Sequence, residues 1–152
     1  MIRHTTALAL VLLVSLSGSA YAQELSYRKH IRPLWQARCS ACHGAASPEG
    51  AEFDQNKEKF KALSKGPRMD SYTALVSFVA WPDTGALMRR LDDGKSTADG
   101  TPGNMYVTLG ANEQERQKNL ALFKRWVGAD AWTLKKPDVI SKEELLRFKT
   151  RY

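Results

Sequence analysis

The clearest hydrophobic pattern in the chain is a helical one that begins at Asn112 and ends at Gly128. Its apolar positions lie three or four residues apart, as one face of an α-helix requires: Leu120, Phe123, Trp126 and Val127. Asn112 is a typical N-cap, and Glu115, three residues later, completes a capping-box pattern. The pattern therefore predicts a helix here, with Gly128 as its stop.

A shorter helical pattern lies near the amino terminus. Ile31, Leu34 and Trp35 share one face of a helix, and Pro33 suits its first turn, where the missing N–H costs nothing. Residues 45–57 are small, polar and turn-rich and are expected to form a loop. Residues 57–65 then predict a short polar helix that ends at a Gly-Pro pair.

The pattern predicts two further helical segments before an irregular stretch: residues 72–81 and one or two turns from Gly85 to Leu91. Residues 72–81 carry a buried face, and Asp70 is the predicted N-cap. Residues 92–104 are dominated by Asp, Gly, Ser, Thr and Pro and predict a loop. Ser141 and Glu144 form a second capping box near the carboxyl terminus. Because no segment alternates convincingly with a period of two, the predicted fold class is mainly α.

The first residues of the chain have the pattern of an export signal. Arg3 gives a short positive start, an apolar run extends from Ala7 to Leu16, and Ala20-Tyr21-Ala22 has the small-x-small pattern that signal peptidase recognises. The run of about ten apolar residues is too short to cross about 30 Å of hydrocarbon. We therefore expect residues 1–22 to be a signal peptide that is cleaved off, and the mature chain to have no stable membrane span.

Composition limits the mature chain to one domain with a basic surface. About 130 residues are enough for one compact domain but not for two. The chain has 23 Lys and Arg against 16 Asp and Glu, a formal net charge of +7, and loss of Arg3 leaves about +6. These cations are scattered rather than gathered in a run, so nucleic-acid binding is not expected. The charge instead favours a partner with an acidic docking surface.

The segment Cys39-Ser40-Ala41-Cys42-His43 has the C-x-x-C-H spacing that is typical of covalent haem attachment. In that chemistry the two thiols add to the two vinyl groups of one haem, and the histidine supplies an axial nitrogen to the iron. A zinc site needs four ligands, and only His4 and His30 could add to these three. A thioredoxin-like redox pair belongs in a βαβ unit, which the pattern does not show. One motif and no repeat predict one haem c.

The residue that faces the iron opposite His43 decides the chemistry, because a thioether suits electron transfer and an open position suits ligand binding or peroxide chemistry. Met105 is the preferred candidate, since it lies in a loop that can be shaped to bring a sulfur to the iron. Met88 lies on an amphipathic segment, where core packing is the simpler role. His30 lies on the segment that enters the motif, Met69 could also be placed in a loop, and an open site is a further alternative.

The order of these features resembles the class I cytochromes c. A helix enters the haem motif, a methionine follows late in a loop, and residues 122–129 resemble the family's C-terminal helix, which crosses the N-terminal helix near the haem edge. The resemblance covers residues 26–129. It implies a cytochrome c-like helical fold around one covalently attached haem, with residues 23–129 as the cytochrome domain and residues 130–152 as an extension that packs on the domain or docks a partner.

The resemblance leaves the hydrogen-bond partner of His43 open. Many relatives place a Gly-Pro pair about a dozen residues after the haem histidine, and its carbonyl accepts the imidazole N–H. Here the nearest such pair, Gly66-Pro67, is about twice as far along the chain, so the sequence does not assign this acceptor.

The function that the resemblance implies is electron transfer rather than catalysis. We expect a periplasmic monohaem cytochrome that transfers single electrons to and from redox partner proteins, as a free carrier or as the electron-transfer subunit of an oxidoreductase. The alternative is a haem enzyme or a gas or peroxide sensor, in which the sixth ligand is absent or displaceable.

Overall fold

The computed structural model describes residues 24–152, so the predicted signal peptide lies outside the described residues. Helical elements and irregular segments make up this part of the chain, and no strand occurs in it, as the hydrophobic pattern predicted. The elements in order are a π-helical turn Tyr27–Ile31, α1 Arg32–Arg38, α2 Ser40–His43, α3 Gly50–Gln55, α4 Lys57–Ala62, α5 Tyr72–Ser77, α6 Ala86–Leu91, a 3₁₀ turn Tyr106–Leu109, α7 Glu113–Val127 and α8 Lys142–Leu145. No helix within residues 24–152 is long and apolar enough to cross a membrane.

The core is centred on α7, which packs mainly against the π-helical turn and the 3₁₀ turn. Trp126 near the end of α7 lies beside Tyr27, with ring centroids 6.3 Å apart. Glu115 near its start pairs with Arg38 at the end of α1. The other core side chains come from the remaining elements, and the fully buried large ones include Ile31, Leu75, Met88, Leu109, Leu120 and Phe123. The predicted apolar stripe of α7 is thus the face that it buries.

The predicted ends of α7 and α8 are observed. The Asn112 side chain accepts a hydrogen bond from the Glu115 N–H at 2.9 Å, and Gly128 ends α7 with φ +128°. The Glu115 carboxylate accepts from the Ala111 N–H rather than the Asn112 N–H, one residue earlier than in a capping box. At α8 the box is complete, because Ser141 and Glu144 each cap the backbone N–H of the other.

Three local predictions were wrong. Helix α5 ends at Ser77 and not at residue 81 as predicted. The segment predicted as a loop between residues 45 and 57 contains α3, because the rings of Phe53 and Phe60 stack 6.3 Å apart and give this short helix a partner in α4. The N-cap of α5 is Ser71, whose side chain accepts from the Ala74 N–H at 3.1 Å. Asp70 instead accepts two hydrogen bonds from the Arg68 guanidinium.

The last residues of the chain form hydrogen bonds with three helical elements. The Arg151 carbonyl accepts from the Tyr27 N–H at 2.7 Å and from the Trp126 indole N–H at 2.9 Å. The Thr150 carbonyl accepts from the Tyr72 hydroxyl at 2.6 Å. The carboxyl-terminal segment therefore lies against the π-helical turn, α5 and the end of α7.

Candidate functional site

The two cysteines and His43 lie on a single helical turn. Cys39 leaves the α-helical conformation at the end of α1, with φ −121°, and the chain then re-enters a helix at Ser40. The Cys39 carbonyl accepts hydrogen bonds from the N–H groups of Cys42, at 3.2 Å, and His43, at 3.0 Å. Cys39 is half-buried and Cys42 is exposed. The break between α1 and α2 thus presents two sulfur atoms and one imidazole from five consecutive residues.

The distant Gly-Pro pair does supply the partner of His43. The His43 Nδ1 atom lies 2.8 Å from the Pro67 carbonyl oxygen. Because a carbonyl only accepts hydrogen bonds, Nδ1 must donate, and the lone pair of the neutral ring is then on Nε2. This is the tautomer that a metal-binding imidazole needs, and the hydrogen bond fixes the orientation of its ring.

Backbone contacts hold this segment on one side of the motif. The Gly66 N–H donates to the Cys42 carbonyl at 2.8 Å, and the Met69 N–H donates to the His43 carbonyl at 2.9 Å. The residues between the motif and Gly66 include α3 and α4, so two short helices occupy the additional chain length. This is why a pair twice as far along the sequence reaches the same place beside the histidine.

Gly66 is also required by the close approach of its backbone to the imidazole. A Cβ atom at this position would lie 2.1 Å from Cε1 and 2.6 Å from Nδ1 of His43. Only glycine allows the Gly66-Pro67 segment to lie this close to the ring.

Burial favours the uncharged forms of His43 and Cys39. It lowers the pKa of His43, and the hydrogen bond to Pro67 opposes this shift only in part. Burial also raises the pKa of the Cys39 thiol to about 11, with a smaller contribution from Cys42. The neutral imidazole is the form that binds a metal.

These residues fit a covalently attached haem better than the alternatives. Two thiols on one turn and an imidazole with a free Nε2 lone pair are the donor set that haem c attachment uses. Zinc is not favoured, because residues 24–152 contain no group of three or more His, Cys, Asp and Glu side chains placed to hold a metal ion.

The four candidates for the opposite face of the iron lie in different surroundings. Met105 is half-buried, packs against the core and precedes the 3₁₀ turn. Met88 is 0% exposed within α6. Met69 is bonded through its backbone to His43. His30 accepts a hydrogen bond at Nδ1 from the Ser26 N–H, 3.2 Å away, so its neutral ring carries the proton on Nε2.

The loop before Met105 lies tightly on the end of α6. A Cβ atom on Gly103 would lie 2.4 Å from the carbonyl oxygens of Arg89 and Arg90. The Met105 N–H donates to the Arg90 carbonyl at 2.9 Å, and the Arg90 guanidinium donates to the Asn104 side chain at 3.0 Å. Met105 therefore has a fixed backbone although it lies outside regular structure.

Sequence reasoning missed the contributions of Pro67, Gly66 and Asp92. Pro67 acts through its carbonyl, which every residue has, so only the Gly-Pro pairing could have indicated it. Asp92 is 0% exposed, whereas the sequence places it only at the start of the polar loop 92–104. A buried aspartate at the end of a predicted helix leaves no signal in the sequence that separates it from an exposed one.

Comparison with known proteins identifies one matching family. The family model described as PccH Cytochrome c matches residues 26–152, and so includes the segment after residue 129. A solved structure, that of the monoheme cytochrome PccH from Geobacter sulfurreducens, is 56% identical to the chain and has a TM-score of 0.79. The match covers 85% of this chain and 99% of that one. No curated protein gives a significant match.

Proposed function

Because the chain belongs to the PccH cytochrome c family, and so carries one covalently bound haem c with its iron, we propose that it transfers single electrons between proteins of the periplasm. It does so as a free carrier or as the electron-transfer subunit of an oxidoreductase. The observation that carries this proposal is the hydrogen bond from His43 Nδ1 to the Pro67 carbonyl, which leaves the Nε2 lone pair available for a metal on the turn that holds both cysteines.

In this proposal Cys39 and Cys42 form the two thioether bonds, and His43 binds the iron through Nε2. The bound haem supplies a couple that gains and loses one electron. The chain's own part is to keep the imidazole in one position in both oxidation states. The Pro67 carbonyl and the bare Cα of Gly66 restrict the ring to that position.

We propose Met105 as the sixth ligand. Met69 follows Gly66-Pro67 on the side of the motif where His43 is held, so its sulfur is poorly placed for the opposite face. Met88 is fully buried in the core, which favours a packing role. In His30 the Nδ1 lone pair accepts from the Ser26 N–H and Nε2 carries the proton, so neither nitrogen of the neutral ring has a lone pair available for iron. The half-buried Met105, on its firmly anchored loop, is the candidate that these observations favour.

We also propose that the partners present acidic surfaces. The formal charge of about +6 that remains without Arg3 supports this. So do two adjoining surface grooves beside the end of α7, which share Lys149 and in each of which basic side chains outnumber the single acidic one. Arg125 lines one groove and Arg147 the other. Charge of this kind steers the encounter of two proteins. The periplasmic location rests on the predicted signal peptide.

The test of the ligand is Met105→Leu, with Met69→Leu as its matched control. In the oxidised Met105→Leu protein we expect loss of the weak long-wavelength charge-transfer band of thioether-bound ferric iron. We also expect the potential to fall by about 100 mV, within the roughly 0.8 V over which axial ligands set haem potentials. The Met69→Leu protein should keep both properties.

An unchanged spectrum and potential in Met105→Leu would show that another group binds the iron. Rapid binding of carbon monoxide by the untreated ferrous protein would instead favour the ligand-binding alternative, because a firmly held sixth ligand excludes external ones.

A further inference from the structure

A buried carboxylate organises the loop that leads to Met105. Asp92, at the end of α6, is 0% exposed. Its Oδ1 atom accepts from the N–H groups of Gly94, at 2.9 Å, and Ser96, at 3.2 Å, and its carbonyl accepts from the Gly103 N–H at 2.8 Å. One residue therefore binds the loop at both its beginning and its end.

The remaining oxygen of this carboxylate is bound by the carboxyl-terminal extension. The Trp132 indole N–H donates to Asp92 Oδ2 at 2.8 Å. A second link lies nearby, because the Arg89 guanidinium on α6 donates to the carbonyls of Leu134, at 3.2 Å, and Lys135, at 2.9 Å. The extension thus holds α6 at the point where the Met105 loop leaves it.

The neighbouring Asp93 connects the same loop to α7. Its carboxylate accepts from the Gln117 side chain at 3.1 Å and lies 3.6 Å from the Lys124 ammonium group, which also lies over the Trp132 ring at 5.4 Å. Gln117 further donates to the Tyr106 hydroxyl at 2.8 Å. Because Tyr106 follows Met105 directly, this second set of contacts holds the other side of the ligand loop.

We propose that Trp132 and Asp92 are positioning residues that keep the Met105 loop closed, so that the extension sets how readily an external ligand replaces the Met105 sulfur. This inference rests on the proposed function, in which Met105 is the sixth ligand. It assigns residues 130–152 a role at the haem iron although none of them is proposed to touch it.

In the closed loop the Met105 sulfur would be held at the iron, and in the open loop it would have moved away. Loss of the Trp132 bond would increase the population of the open loop. Without the indole N–H, Asp92 Oδ2 is a buried acceptor with no donor, which penalises the closed loop and not an open, hydrated one. An external ligand binds only the open form, so its apparent affinity rises in proportion to the open fraction.

The test is a titration of the oxidised haem protein with imidazole, in native protein and in Trp132→Phe. Loss of the Trp132 bond should make imidazole bind on the order of tenfold more tightly, the factor that one buried hydrogen bond corresponds to. Trp126→Phe is the matched control, because it removes an indole N–H that donates to the Arg151 carbonyl, away from the loop. It should lower the melting temperature and leave the imidazole affinity unchanged.

A second variant tests the loop contacts if Trp132→Phe does not fold. Gln117→Met removes the donor to Asp93 and Tyr106 at nearly constant volume and should also raise the imidazole affinity. If Trp132→Phe folds and binds imidazole no more tightly than Trp126→Phe does, the positioning role of Trp132 is wrong. If Gln117→Met also binds imidazole no more tightly, the contacts of this loop do not control ligand access.

A double variant distinguishes an error in the positioning role of Trp132 from an error in the assignment of Met105 as the sixth ligand. Met105→Leu should already bind imidazole tightly, and addition of Trp132→Phe should then change the affinity little, since the two substitutions act on one bond. An unchanged spectrum in Met105→Leu overturns the ligand itself. A normal Met105→Leu result with an unaltered Trp132→Phe titration overturns only the role of the extension.

Discussion

At the scale of single residues, the approach of Gly66 to His43 leaves no room for a side chain. A Cβ atom would lie 2.1 Å from the imidazole Cε1, and the ring cannot turn away without loss of its bond to Pro67. We expect Gly66→Ala to cost about 1–3 kcal/mol of unfolding free energy, as overpacking does. It should also shift the reduction potential, because the ligand is displaced. Thermal melts and a redox titration of the haem protein measure both effects.

Gly50→Ala is the matched control for this prediction. No atom lies within 4 Å of the added methyl group, and the position is the first of α3. The substitution should be neutral or stabilise the fold by up to about 1 kcal/mol, because alanine has less freedom in the unfolded chain. Equal stability of the two variants would contradict the crowding at Gly66.

The sequence could predict Cys39, Cys42 and His43 as a group, since their spacing is itself the chemical signal. It could not predict the Pro67 acceptor, because two helices intervene and the contact depends on how they fold back. Methionine candidates likewise differ little in sequence. The preference for Met105 rests on its loop position, and the burial of Met88 and the backbone bonds of Met69 add support that no sequence pattern contains.

At the scale of helices, long periodic segments were predicted well and short ones less so. The apolar stripe of α7 spans about two turns, its cap Asn112 and its stop Gly128 are as predicted, and only the Glu115 contact differs from the predicted capping box. In contrast, α3 is stabilised by the contact between Phe53 and Phe60 and has little periodicity of its own. At α5 two adjacent residues could cap the helix, and the local ion pair of Asp70 with Arg68 leaves Ser71 as the cap.

The start of α5 gives a test at this scale. Ser71→Ala removes the acceptor for the Ala74 N–H and should cost about 1 kcal/mol. Asp70→Asn weakens a surface pair with Arg68 and should cost a few tenths of a kcal/mol, about the value of an exposed ion pair. Urea denaturation midpoints compare the two variants. A larger loss in Asp70→Asn would mean that the ion pair with Arg68 stabilises the start of α5 more than the Ser71 cap does, because asparagine would keep any capping by residue 70.

At the scale of the whole molecule, Asp93 joins elements that are distant in sequence, and its protonation should weaken the fold. Burial alone would raise the pKa of this carboxyl, but hydrogen bonds from Gln117 and Lys95, with the charge of Lys124, hold it at about 2. The side chain is 2% exposed. A pKa below the ordinary 3.8 means that the contribution is complete above that value and is lost as the pH falls to about 2.

The lowered pKa of Asp93 sets both the size of its contribution to stability and the pH range over which that contribution is lost. A shift from 3.8 to about 2 corresponds to about 2 kcal/mol at neutral pH. Asp93→Asn should therefore be less stable than native protein by about this amount at pH 7, and the difference should shrink as the pH falls from about 5 to about 2. Asp54→Asn alters a solvent-exposed pair with Lys57 and serves as the control, with little difference at either pH. A difference for Asp93→Asn that stayed constant down to pH 2 would show that the side chain acts through packing alone, and that its charge does not hold α7 to the Met105 loop.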